Sequence, residues 1–151
     1  MSDIVPKRIA ELSHYQGAHE IPGVRFCYAA KDLGITAWGM NVLELAPHCT
    51  TYPEHDHLED GEEEAYVVLS GSAVLVVGGR KWPLEAGMLV RVGPEHKRKL
   101  VTGSRGAVVL ALGGVPEKAD GAAPQGTAKG TPKKPAAKKS AAKKPAKATK
   151  A

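Results

Sequence analysis

The sequence predicts an all-β domain, one small closed or nearly closed antiparallel barrel or sandwich, and three observations carry that prediction. First, β-favouring runs recur at 24–30, 35–45, 65–69, 73–77, 88–92, 97–101 and 107–112. Second, turn residues punctuate them: Pro22-Gly23, Leu33-Gly34, Pro47, Ser70-Gly71, Gly78-Gly79, Gly87, Gly93-Pro94 and the stretch from Gly103 to Gly106. These residues supply the backbone angles that turns need. Third, short strands at a spacing of roughly 8–12 residues suit a sandwich or barrel, and residues 24–112 are enough for about eight of them.

Three regions follow, taken in order. Residues 1–23 are an N-terminal arm in which only 3–16 look helical, with Ile4, Ile9 and Leu12 loosely spaced and Pro6 in the first turn. Residues 24–114 are the barrel, with Gly78-Gly79 as a tight hairpin turn. From residue 115 the composition changes to Lys, Ala, Pro, Gly and Thr, and apolar residues larger than Ala vanish beyond Val115. Such a stretch buries too little apolar area to offset its conformational entropy, so 115–151 is expected to be a disordered tail.

The net charge of +5 over 151 residues hides a segregation. Residues 121–151 hold nine Lys and no acid, whereas residues 1–120 hold 12 basic and 16 acidic residues, a balance of −4. An acidic partner is therefore expected for the tail only. Cys27 and Cys49 are the only cysteines, too few for a disulfide framework. The first 30 residues carry charges throughout and no continuous apolar core, which argues against a signal peptide. No stretch approaches the roughly 20 apolar residues of a membrane span. The cytoplasm is the expected compartment, and no membrane partner is expected.

The chemistry concentrates at His55-Asp56-His57, followed at Glu64 by a carboxylate and at Gly71 by a glycine. On an extended chain, residues i and i+2 share a face, so His55 and His57 converge while Asp56 points away. By the same alternation Glu64 shares a face with Tyr66 and Val68. Two imidazoles and a carboxylate form a ligand set for Fe, Mn, Ni or Zn with open coordination positions. The same residues also suit a blander reading, two solvated imidazoles beside an acidic turn at 59–64.

These residues resemble the cupins, a family of small jelly-roll barrels, over about residues 35–112. The first cupin motif is matched by His55-x-His57 and by Glu64 followed by six residues and Gly71. It departs at Cys49, where a glycine is usual, and in the six residues between His57 and Glu64, where three or four are usual. Glu62 keeps the usual spacing from His57 but loses the one to Gly71, so Glu64 is favoured. The second motif falls in register from Gly87 through Gly93-Pro94-Glu95. Its histidine, the family's fourth metal ligand, lands on Arg98, and its asparagine on Thr102. Arg is no metal ligand.

The resemblance implies a jelly-roll barrel, a divalent metal on His55, His57 and Glu64, and often a homodimer paired through sheet edges. His96 lies two residues before Arg98 and would share its face if the chain is extended there, which makes it the candidate fourth ligand. Arg98 is the candidate anchor for an anionic small molecule, gripping a carboxylate with two N–H groups, with Tyr66, Trp38 and Met40 as lining. His48 and Cys49, adjacent in sequence, are read as incidental.

The tail repeats Lys133-Lys134-Pro135-Ala136-Ala137 in degenerate form and resembles in composition the tails of linker histones. Nine lysines without aromatic or Arg residues imply nonspecific, salt-sensitive contact with DNA or RNA phosphates. Three function classes follow. They are a binding module for a metal or a small anionic ligand, a metal-dependent dioxygenase, isomerase or lyase, and a nucleoid-associated protein using the barrel as scaffold. The missing second-motif histidine favours the first. In an enzyme, Glu62, Glu63 and His96 would be the acid–base candidates.

Overall fold

The structure is a computed structural model and describes residues 4–116. The expected basic tail lies outside the described residues from 117 onward. Within them the strands are β1 (Val24–Cys27), β2 (Gly39–Leu45), β3 (Glu63–Val77), β4 (Arg80–Glu85), β5 (Leu89–Val92) and β6 (Arg98–Gly114), with one short helix, α1 (Ala29–Leu33). Every pairing is antiparallel, in the order β1-β2-β6-β3-β4, with β5 also on β3. The fold is all-β, as expected.

Two long strands hold it together, where the sequence suggested four short ones. The N-terminal half of β3 pairs with β5 and with the C-terminal half of β6, while its C-terminal half pairs with β4 and with the start of β6. Each long strand thus belongs to both halves of the barrel. Irregularities between Val68 and Ser70 and between Gly71 and Ala73 mark the bend. They also shift the parity of burial. Tyr66 and Val68 face inward before the bend, and Ala73 and Leu75 after it. On β6 the buried set changes likewise, from Arg98, Leu100 and Thr102 to Ala107, Val109 and Ala111. Extra residues at a bulge let a strand turn a corner and still bury one face.

Gly71 shows why the first motif ends on glycine. Its φ is 71°, and a Cβ there would collide with the carbonyl oxygen of Gly106, itself at φ 63°. Only glycine tolerates both the angle and the approach. The Gly78-Gly79 hairpin forms as expected, with Val77 opposite Arg80. Ser70-Gly71 does not end a strand but bends one.

Two expectations are corrected, and one further strand is present. Residues 3–16 do not form a helix: the described part holds one 3-10 turn, Ile9–Glu11. Leu12 is instead buried against Cys27, Ala29 and Val42, and His14 bridges to Cys27, which holds this part of the arm extended. The run 24–30 stops as a strand at Cys27, because 29–33 make a helical turn closed by Gly34 in the left-handed region. Asp32 of that turn accepts from the Ser13 backbone N–H and hydroxyl at 2.5 and 2.7 Å. Finally, Arg80–Glu85 is a strand although Pro83 interrupts its pattern. As β4 it pairs only with β3, and an edge strand tolerates proline.

Candidate metal centre

His55 lies outside the named strands but bridges to Arg98 at the start of β6. Its N–H donates to the Arg98 carbonyl at 3.0 Å, and the Arg98 N–H donates back at 2.8 Å. The His57 N–H donates to the Pro94 carbonyl at 3.0 Å. These bonds hold 55–57 extended along the edge of the barrel, so both imidazoles point the same way, their ring centroids 5.4 Å apart. Glu64 faces them from the first turn of β3.

The ring nitrogens are already sorted. His55 Nδ1 lies 3.1 Å from the Pro53 carbonyl, and His57 Nδ1 lies 3.0 Å from Asp60 Oδ1. Both partners only accept, so each Nδ1 carries the hydrogen and each Nε2 is left as the ligand atom. The two Nε2 atoms lie 3.6 and 3.7 Å from Glu64 Oε2. That is beyond a good hydrogen bond. Metal–ligand bonds are about 2.0–2.2 Å, so two atoms sharing an ion lie up to about 4.4 Å apart, and both separations fit. Among the described residues, His57 Nε2 is the buried side-chain nitrogen left without a hydrogen-bond partner. The donor set and its geometry fit a divalent ion on His55, His57 and Glu64.

Arg98 stands at the same carboxylate. Its side chain is fully buried, and Nη2 and Nε donate to Glu64 Oε2 at 2.5 and 3.1 Å, while Nη1 donates to the His96 carbonyl at 3.1 Å. The Tyr66 hydroxyl donates to that oxygen at 2.5 Å. Burial alone would raise the Glu64 carboxyl, but His55, His57, Tyr66 and the Arg98 charge together hold it well below the usual carboxylate range. In turn, the Glu64 carboxylate raises His57 against the opposing effect of burial.

The sequence-expected residues divide. His55, His57, Glu64, Tyr66 and Arg98 converge. His96 does not: Gly93 to His96 is a turn, its N–H bonded to the Gly93 carbonyl, and its half-exposed ring meets Glu95 at 3.1 Å. The extended chain that would have aimed it inward is absent. Arg98 gives Nε and Nη2 and Tyr66 its hydroxyl to Glu64, while Arg98 Nη1 goes to the His96 carbonyl. Trp38 is exposed, and Met40 packs against the cluster around Cys27, so neither lines this site. Cys49 is buried with its N–H donating to Thr102 Oγ1 at 2.9 Å. Thr102 Oγ1 donates in turn to the Ala46 carbonyl at 2.6 Å. Thr102, at the family's asparagine position, thus ties the 46–49 loop to β6.

Two residues escaped the sequence reading. Asp60 fixes His57, and a carboxylate three residues after a ligand histidine was the available signal. Tyr52 is buried with its ring 5.7 Å from that of His55, and burial followed by the Glu64 charge pushes its hydroxyl well above the ordinary tyrosine range. An aromatic inside a polar loop was its only mark. Glu62 is the remaining group close by. Burial raises its carboxyl, and Oε2 lies 3.8 Å from His57 Nδ1, on the side of the ring away from Glu64. A groove of about 590 Å³ opens elsewhere, between Ile21, Arg25, Leu45 and Ala107, and shares no residue with the cluster.

Residues 41–113 match the family model described as the cupin domain, Cupin_2. The barrel has the cupin fold. Solved structures agree. A sugar phosphate isomerase of the cupin superfamily from Silicibacter pomeroyi superposes with a TM-score of 0.62 at 20% identity, covering 72% of this chain and 74% of that one. A predicted oxalate decarboxylase from Thermotoga maritima gives 0.59 at 19% identity, covering 74% and 100%. A Cupin 2 conserved barrel domain protein from Salinispora arenicola gives 0.56 at 21%, covering 75% and 88%. Comparison with curated proteins gives no match. At these identities the likeness establishes the cupin fold alone. Among the described residues no helix is long and apolar enough to cross a membrane.

Proposed function

We propose that this cupin domain is a binding module that takes one divalent metal ion on His55, His57 and Glu64 and offers the ion's remaining positions to a small anionic ligand. One observation carries the reading: His57 Nε2 is buried, unpartnered and aimed at Glu64, with its Nδ1 fixed by Asp60. An imidazole nitrogen buried without a partner costs free energy that a bound ion would repay. When bound, the ion would act as a Lewis acid toward an oxygen of the ligand. The chain's own residues do the rest. Pro53 and Asp60 set the tautomers, Tyr66 and Arg98 orient Glu64, and the Tyr52 ring packs edge-on against that of His55.

The test is equilibrium dialysis against Zn²⁺ or Mn²⁺ followed by elemental analysis, beside the His55→Ala/His57→Ala variant. One ion per wild-type chain and none in the variant is the expected result. Equal uptake by both forms, or none by the wild type, removes the reading.

The tail belongs to the same proposal as a nonspecific contact to nucleic acid, supported by nine lysines without an acid between 121 and 151. Truncation at residue 119 should abolish salt-sensitive retention on random duplex DNA. Retention unchanged by truncation refutes it. A homodimer through a sheet edge is also proposed. It is supported by β5, which pairs only with β3 among the described strands and leaves Leu89 exposed, and sedimentation gives the mass.

A further inference from the structure

We infer that Arg98 is the resident cation of this barrel and competes with a divalent ion for the same carboxylate oxygen, so that Arg98 sets how weakly the site holds metal. The inference rests on the metal reading and deepens it. Arg98 occupies the inward-facing β6 position where the cupin motif carries its last histidine, and it alternates with buried Leu100 and Thr102. The guanidinium is fully buried and donates twice to Glu64 Oε2, and Tyr66 donates a third time. A carboxylate oxygen has about two lone-pair directions, so three donors leave Oε2 nothing for an ion. Both imidazole Nε2 atoms point at that same oxygen, from 3.6 and 3.7 Å. An ion between them must therefore displace a donor from Oε2, or bind Oε1 of the same carboxylate with the buried guanidinium beside it.

Two consequences follow from the same contacts. The metal-free barrel needs no ion to neutralise Glu64, because the guanidinium already does so. Metal uptake is opposed by a like charge in a site of low dielectric, where such repulsion is strong. A chain built this way holds a divalent ion reversibly, at a concentration that Arg98 determines.

The experiment is calorimetric titration of ZnCl₂ into the full chain, as wild type, Arg98→His and Arg98→Gln, with thermal melting at each zinc concentration. Removal of the charge should tighten zinc binding tenfold or more in both variants, most in Arg98→His, which adds a third imidazole as a fourth ligand. Zinc should also raise their melting temperatures further than that of the wild type. Should Arg98→His be unfolded without zinc, Arg98→Gln, which keeps an amide donor toward Glu64, carries the comparison. Wild-type binding with a gain under threefold in the variants overturns the role of Arg98 and leaves the metal reading standing. No zinc uptake by any of the three forms overturns both.

Discussion

Glu63 and Glu64 are neighbours on β3, and each is paired with an arginine, yet the two pairs live in different solvents. Arg91 meets Glu63 with side chains 67% and 36% exposed. Arg98 meets Glu64 with side chains 0% and 13% exposed. Strand alternation alone separates them, sending one carboxylate outward and the next into the barrel. Outside, water screens the charges and the pair contributes little. Inside, neither charge can be solvated, so each depends on the other and on the Tyr66 hydroxyl. The buried pair is therefore no measure of stability, since replacing such a pair by apolar residues of similar volume is often neutral or stabilising.

The contrast is easiest to break with truncations. Arg98→Ala leaves a buried carboxylate unpaired and should cost about 3–5 kcal/mol in urea denaturation. Arg91→Ala should cost less than about 1 kcal/mol. Equal costs would mean that the buried setting of Glu64 does not matter. Tyr66→Phe removes one donor to a buried charge and should cost about 1.5–3 kcal/mol, less than Arg98→Ala because the guanidinium remains. A neutral effect would place the Glu64 carboxylate in solvent.

The smallest effect lies away from the barrel interior, at Ser13 and Asp32. The Ser13 backbone N–H and then its hydroxyl hold the Asp32 carboxyl below its ordinary value. A depressed folded value means stability that is present above the unfolded pKa of about 3.9 and lost as pH falls through the folded one. Ser13→Ala should therefore lower the melting temperature slightly at neutral pH, and the gap should close below about pH 4. A gap that widens in acid would show that Asp32 is not the group concerned.

How much of this was legible in the sequence depends on whether a residue sat on a regular strand. Glu64, Tyr66 and Val68 were placed on one face by alternation, and the structure keeps them there. His55 and His57 were placed by spacing, and the bridge from His55 to Arg98 supplies the extension that spacing assumed. His96 failed for the converse reason: Gly93-Pro94 starts a turn, and alternation has no meaning inside one. The position of Arg98 could be read from the second motif, but not its partner. The grip on Glu64 depends on how the bent β3 and β6 bring residues 64 and 98 together, a consequence of the fold that local pattern does not encode. Asp60 and Tyr52 lie in loops without periodicity, where alternation assigns no face.

In the proposed site, His55 and His57 present Nε2, and keep Nδ1 protonated, toward one ion shared with Glu64. Imidazole ¹⁵N resonances followed through a zinc titration test it most directly. The Nε2 signals of both residues should move together as one equivalent is bound, while their Nδ1 signals stay those of a protonated nitrogen and the His96 ring is unaffected. Coordination through Nδ1, a response of His96 in place of His57, or no change in either imidazole at saturating zinc would contradict it.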